Sequence, residues 1–192
     1  VAKNMIGTFW FQLNEINAGG SRPKGHAPYV TKKVGVLGAG MMGAGIAYVS
    51  AVAGIDVVLK DVSMEAAEKG KAYSSKLLDK KVSRGHMSVE KRDGILARIT
   101  ATDKEADFAG CDLIIEAVFE DRDLKANVTA AAERCALSDA VIASNTSTLP
   151  ITGLATAVQK QDKFIGLHFF SPVDKMPLVE IIKGELTSEE TL

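Results

Sequence analysis

Cysteine, histidine, proline and net charge are all scarce in this chain. Its two cysteines, Cys111 and Cys135, have neither metal-ligand spacing nor the density of a disulfide-held secreted domain, which points to a reducing compartment. A formal net charge of −1 leaves no basic field for nucleic acid and no acidic tail. The apolar stretches fall far short of the ~20 residues that cross a bilayer. No signal or transit peptide is visible in a sequence that opens on Val1. Internal repeats and low-complexity segments are absent as well. What is present is a hydrophobic content of 46% over 192 residues, enough for one substantial core and an appendage.

The appendage is residues 1–30. Ile6, Phe9, Trp10, Leu13 and Ile16 recur at helical spacing and Gly19-Gly20 ends the helix. Ser21-Arg-Pro-Lys-Gly-His-Ala-Pro28 reads as a linker. A lone amphipathic helix must bury its apolar side, either in this chain or in a neighbouring domain.

Residues 31–192 alternate between strand and helix patterns. Strands are expected at Lys33–Leu37, Asp56–Lys60, 99–101, 111–117, 140–143, 163–168 and 178–182. Helices are expected at 41–53, from an N-cap at Ser63 to about Arg84, at Val89–Ala97 and at 124–135. Such alternation predicts an α/β domain of the doubly wound Rossmann type, a mostly parallel sheet with helices on both faces.

The clearest motif is Gly38-Ala39-Gly40-Met41-Met42-Gly43. G-x-G-x-x-G alone is weak, but here it follows a strand, opens a helix, and is joined by Asp61 at the end of the next strand. Gly38 would permit the tight turn, Gly40 the approach of a pyrophosphate, and Gly43 close helix–strand packing. The helix N-terminus would face the anion. Asp61 would accept the adenosine ribose hydroxyls and repel a 2′-phosphate, favouring NAD over NADP; the adjacent Lys60 softens that preference.

His168 and Glu180 form the second constellation. A Glu inside the apolar run Pro177-Leu-Val-Glu-Ile-Ile182 is costly unless paired. Folding the loop symmetrically about Asp174 puts Glu180 opposite His168, cross-strand Cβ atoms being roughly 5 Å apart. The arrangement serves a histidine general base, or else a half-buried structural ion pair.

Gly38, Asp61, Glu120, Asn145, Ser147 and His168 all fall at or just beyond the carboxyl ends of expected strands, the edge along which ligands of open α/β sheets bind. The cluster Ser144-Asn-Thr-Ser-Thr148 is either a polar loop or a source of hydrogen bonds to a substrate oxygen. Lys76, Lys80 and Arg84 repeat every four residues, as a solvated face or as a dock for an anionic substrate tail. No nucleophile elbow or metal site is recognisable.

At Gly38 to Gly43, Ser144-Asn-Thr-Ser147, His168-Phe-Phe-Ser-Pro-Val173 and Leu178-Val-Glu-Ile-Ile182 the chain resembles the 3-hydroxyacyl-CoA dehydrogenase family, over about residues 31–192. Phe170-Ser-Pro-Val-Asp-Lys-Met176 narrows the similarity to multifunctional fatty-acid oxidation α subunits; single-function relatives more often carry Asn at the place of Ser171. The leader from Thr8 to Pro23 resembles the connector after the enoyl-CoA hydratase domain of such subunits. By this resemblance the chain is an excised segment acting on 3-hydroxyacyl-CoA with NAD. His168 would be the general base, Glu180 its orienting partner and Ser147 a hydrogen-bond donor to the reacting oxygen. Glu120, Lys125 and Asn145 would lie near the ribose and nicotinamide, and Lys76, Lys80 and Arg84 in the neighbourhood of coenzyme A. A helical domain that the family places after this one, with another active-site Asn, would be missing, so the segment is expected to bind NAD with little turnover. The cytoplasm is favoured over the mitochondrial matrix. A dehydrogenase of another β-hydroxy acid, or a non-catalytic NAD-binding relative, remains open.

Overall fold

The computed structural model describes residues 1–20 and 22–192; Ser21, read above as part of the linker, lies outside the described residues. Among the described residues seven strands form one sheet: β1 Lys33–Leu37, β2 Asp56–Lys60, β3 Ile99–Thr102, β4 Leu113–Glu116, β5 Val141–Ser144, β6 Phe164–Phe169 and β7 Val179–Ile182. Their spatial order is β3-β2-β1-β4-β5-β6-β7, and only β7 runs antiparallel to its neighbour. The order reverses between β1 and β4, which creates a crevice at the carboxyl ends of those two strands.

One continuous helical leader, α1, covers residues 2–17 and includes a π-helical stretch, Ile6–Gln12. The remaining helices are α2 Met41–Val52, α3 Met64–Ser83, α4 Val89–Ala97, α5 Arg122–Glu133 and α6 Ile151–Ala155. On one sheet face Val34, Val36, Val57 and Leu59 pack against Ile46, Ala47 and Ala51 of α2 and Leu78 of α3. On the other, Val58, Ile114, Ile142 and Phe164 meet Phe108, Ala132, Ile151 and Leu154. Alternate strand residues thus feed both cores, so the strands read as nearly unbroken apolar runs. Gly35 in the middle of β1 leaves the space that Phe108 fills: a Cβ there would lie 2.5 Å from the Phe108 ring.

Helix starts follow their sequence signals. Ser63 Oγ accepts the Ala66 N–H, Ser88 Oγ that of Lys91, and Asp121 Oδ1 that of Leu124. Asp112, anticipated inside a longer β4, instead sits just before it and accepts the N–H groups of Lys32 and Lys33. It thereby anchors the chain as it enters β1. The one-turn helix α6 and the 3₁₀ segments Glu105–Phe108 and Gln161–Lys163 are too short to show periodicity in a sequence. The leader's apolar side stays open, with Ile6, Phe9, Trp10, Leu13 and Ile16 between 48% and 68% exposed. Among the described residues no helix is long and apolar enough to cross a membrane.

Candidate active site

The turn after β1 is built by glycine. Gly38 has φ +91°, a conformation that strains other residues, and its N–H donates to Lys60 O at 2.8 Å. A Cβ on Gly43 would lie 1.7 Å from Gly38 O, so α2 can approach the turn only without a side chain there. Gly40 differs: nothing lies within 4 Å of the Cβ it would carry. It is also the N-cap of the 12-residue α2, where no side chain satisfies the first-turn N–H groups of Met41, Met42 and Gly43. Open space above free amides at a helix N-terminus fits the pyrophosphate of a dinucleotide. Gly43→Ala is therefore expected to cost about 1–3 kcal/mol of stability and to abolish NADH binding. Gly40→Ala should leave the melting temperature unchanged while weakening NADH. Thermal melts and NADH fluorescence titrations compare the two.

Asp61, just past β2, closes the turn. Its Oδ2 accepts the Ala39 N–H at 2.6 Å and its Oδ1 the Val62 N–H at 2.7 Å. Ala39's amide is thus committed inside the protein, and the anion donors are its neighbours at the start of α2. Each Asp61 oxygen keeps a further lone pair for a ribose hydroxyl.

Between β4 and α5 lies a polar network that joins the expected Glu120, Lys125 and Asn145 to Glu116, which local sequence did not single out. Glu116, 1% exposed, accepts from Lys125 Nζ (2.8 Å), from the Val118 N–H (2.7 Å) and from Ser144 Oγ (2.6 Å). Lys125, 2% exposed, also donates to Val118 O at 3.2 Å and pairs with Glu120 Oε2 at 3.1 Å. The structure therefore places Lys125 beneath the crevice, with its ammonium shared among protein acceptors. Glu120 Oε1 in turn accepts the Thr146 hydroxyl, the N–H groups of Ser147 (3.2 Å) and Thr148 (3.3 Å), and the Thr148 hydroxyl. Asn145 donates its N–H to Glu116 O and accepts the Phe169 N–H at Oδ1, both at 2.8 Å. The ends of β4, β5 and β6 are tied together this way.

Burial raises the Glu120 pKa, but hydrogen bonds from Thr146, Lys125 and Thr148 outweigh it and hold the carboxyl at about 2. A depressed carboxylate stabilises the fold above its ordinary range, and that stabilisation is lost as pH falls through about 2. The Ser147 and Thr148 amide resonances should accordingly titrate with a midpoint near 2, rising in Thr146→Val. A wild-type midpoint in the ordinary carboxylate range would contradict the network.

β6 and β7 carry the remaining pair. Their register sets Glu180 directly opposite His168, and Nδ1 lies 2.8 Å from Glu180 Oε2. The reason differs from that argued on sequence: β7 is an edge strand and the Glu180 side chain is 53% exposed, whereas that of His168 is 21% exposed. Phe170 braces the imidazole, with ring centroids 4.8 Å apart. The loop between these strands docks on the first half of the domain. Val173 fills the gap that Gly45 leaves on α2, and Tyr73 of α3 donates to Asp174 at 3.1 Å. Ser171 approaches Met41 at the start of α2.

His168, Ser147, Asn145, Glu120, Lys125, Met42 and Ser171 line one cleft of about 380 Å³ at the carboxyl edge of the sheet. The sequence-predicted residues after β4, β5 and β6 are thus brought together beside the glycine turn. Lys76 and Lys80 on α3 and Arg84 just past its end are exposed and do not line that cleft. Cys111 is buried, and desolvation pushes its thiol up to about 11. A second depression lies at the opposite end of the sheet, where Leu113, Val141, Ile165 and Ile181 meet the polar groups of Tyr29, Thr31, Asp112 and Thr191.

The sequence matches the family model for the 3-hydroxyacyl-CoA dehydrogenase NAD-binding domain over residues 33–192. Among solved structures it is similar to FadB2 of M. tuberculosis, with 39% identity and a TM-score of 0.80 over 85% of this chain and 57% of that one. The (S)-3-hydroxybutyryl-CoA dehydrogenase PaaH1 of Ralstonia eutropha shares 40% identity, with a TM-score of 0.81 over 84% of this chain and 57% of that one. The dehydrogenase part of multifunctional enzyme 1 from C. elegans gives 28% identity and a TM-score of 0.75, covering 87% of this chain and 38% of that one. The chain therefore spans 57% of the length of the first two relatives. With the glycine turn, the switch-point cleft and this match in agreement, the chain belongs to the 3-hydroxyacyl-CoA dehydrogenase family, as its NAD-binding domain.

Proposed function

We propose that this chain is the cofactor-binding and proton-transfer part of an enzyme that oxidises L-3-hydroxyacyl-CoA to 3-ketoacyl-CoA. The observation that carries the reading is the 2.8 Å contact between His168 and Glu180, in the same cleft as Ser147 and beside the free amides of α2. With Nδ1–H donated to Glu180, Nε2 is the basic nitrogen of the imidazole. It accepts the proton of the 3-hydroxyl as the C3–H bond breaks and the C=O bond forms. Glu180 then faces the imidazolium and stabilises its charge. The Ser147 hydroxyl donates to the reacting oxygen, and the Glu120 network holds the Ser147 backbone in place. NAD, when bound, supplies the acceptor for the hydride leaving C3. The first-turn amides of α2 and Asp61 bind its pyrophosphate and ribose; Glu120, Asn145 and, through Glu120, Lys125 set the nicotinamide end.

In this reading residues 1–30 are a connector and 31–192 the NAD-binding domain of a longer polypeptide. An enoyl-CoA hydratase domain before it and a helical domain after it complete the protein, which oxidises fatty acyl chains in a reducing compartment, the cytoplasm ahead of the mitochondrial matrix. The exposed apolar side of α1 supports a neighbouring domain. Lys76, Lys80 and Arg84 meet the anionic coenzyme-A tail. The test sets this chain beside the complete polypeptide in an NADH fluorescence titration and an acetoacetyl-CoA-driven assay. We expect NADH binding by both and turnover only by the complete protein. Robust turnover by residues 1–192 would remove the need for a further domain, and bound NADH without turnover in either would remove the substrate assignment.

A further inference from the structure

Lys60 is the last residue of β2 and precedes Asp61, the carboxylate at the ribose end of the site. A dinucleotide fold takes a 2′-phosphorylated cofactor when a cation beside the ribose can meet the added charge. Lys60 is placed in sequence to be that cation. Its ammonium instead pairs with the 3₁₀ segment after β3, 3.0 Å from Glu105 Oε1, and reaches only the backbone carbonyl of Asp61, at 3.5 Å; its side chain is 11% exposed. Both ends of this contact are fixed by the sheet. Lys60 pairs in register with Thr102 of β3, the Asp61 N–H donates to Thr102 O, and the Thr102 hydroxyl bonds Asp107 in the segment that carries Glu105. The Glu105 carboxyl is held below its ordinary range, first of all by its hydrogen bond from Lys60.

We propose that Glu105 is a specificity-determining residue of the cofactor site: by engaging the Lys60 ammonium it keeps that cation from the Asp61 carboxylate, whose oxygens accept the Ala39 and Val62 N–H groups, and so excludes the 2′-phosphate of NADP. Discrimination of this kind depends as much on a withheld attraction as on the contacts made to the preferred ligand. The proposal rests on the dinucleotide reading of the glycine turn, and goes beyond it by assigning a role to a residue that need not touch the cofactor.

The experiment titrates NADH and NADPH, by fluorescence at low ionic strength, into the wild-type chain, Glu105→Gln and the double variant Glu105→Gln/Lys60→Gln. Glu105→Gln should gain about tenfold in NADPH affinity, the scale of one charge interaction near a protein surface, with NADH affinity moving by much less. The double variant should lose that gain, because the freed ammonium is its source. Glu105→Asp, one methylene shorter, is a second variant with a smaller gain in the same direction. NADPH affinity unchanged in Glu105→Gln and Glu105→Asp while NADH still binds would overturn the proposal, as would a gain that persists without Lys60. Failure of the wild-type chain to bind NADH at all would overturn the dinucleotide reading itself, and the proposal with it.

Discussion

In the complete polypeptide, His168→Gln lowers kcat for 3-hydroxyacyl-CoA oxidation by about 10²–10⁴-fold, the contribution of a positioned general base. Glutamine fills a similar space but offers no nitrogen that can accept the 3-hydroxyl proton. NADH affinity should change far less, since the glycine turn and Asp61 lie on β1 and β2. Glu180→Gln is expected to lose activity on the same scale for another reason. A carboxylate opposite Nδ1 at 2.8 Å can only accept, which keeps the proton on Nδ1 and the lone pair on Nε2. A carboxamide can donate instead, favouring the opposite tautomer, and it offers no charge to the imidazolium. Steady-state rates of NADH formation with saturating NAD and 3-hydroxybutyryl-CoA measure both variants. Unchanged turnover in His168→Gln would remove the histidine from the chemistry and return the pair to a structural role.

Lys125→Met is the second large effect, and it falls on stability. Removing the ammonium leaves Glu116 buried with its charge unmet and strips Val118 O of a donor. Breaking one side of a buried ion pair costs about 3–5 kcal/mol. At about 2–4 °C per kcal/mol for a domain of this size, the melting temperature should fall by about 6–20 °C. Adding Glu116→Gln should restore much of that loss, because the stranded charge goes too and Ser144 and Val118 keep a hydrogen-bonding partner. Cofactor binding should weaken alongside, since Glu120 loses the contact that anchors it under the Ser147 loop. Thermal melts of the single and double variants decide the matter. A single variant as stable as wild type would mean that the network is not the support described.

The parallel core was legible because the strands are apolar runs alternating with helical patterns, and Ser63 marks the start of α3; the caps at Ser88 and Asp121 were not read, and α5 begins at Arg122, ahead of the expected 124. Register between β6 and β7 was legible too. A loop folded about Asp174 has one symmetric pairing, and that pairing sets His168 against Glu180. The cost of burying a carboxylate falls on Glu116, 1% exposed, more than on Glu180, whose side chain is 53% exposed. Both are carboxylates in apolar runs, but β4 lies inside the sheet and β7 at its edge, a distinction made by strand order and not by local composition. Glu116 was therefore readable by the same signal and was passed over. Lys125 lines the cleft, but the sequence does not say that its ammonium is shared among Glu116, Glu120 and Val118 O. Long-range contacts such as Tyr73 with Asp174 and Lys60 with Glu105 join residues 101 and 45 positions apart (105 minus 60). No local pattern encodes them.

Under the proposed function, hydride and proton leave the same 3-hydroxyacyl group at this cleft, the proton to His168. The most direct test is the reverse reaction with NADH deuterated at C4 and acetoacetyl-CoA as acceptor, catalysed by the complete polypeptide and analysed by mass spectrometry. The account predicts one deuterium at C3 of the 3-hydroxybutyryl-CoA formed, with label transfer suppressed in His168→Gln. Product without deuterium at C3, or equal transfer by the His168→Gln variant, would contradict it.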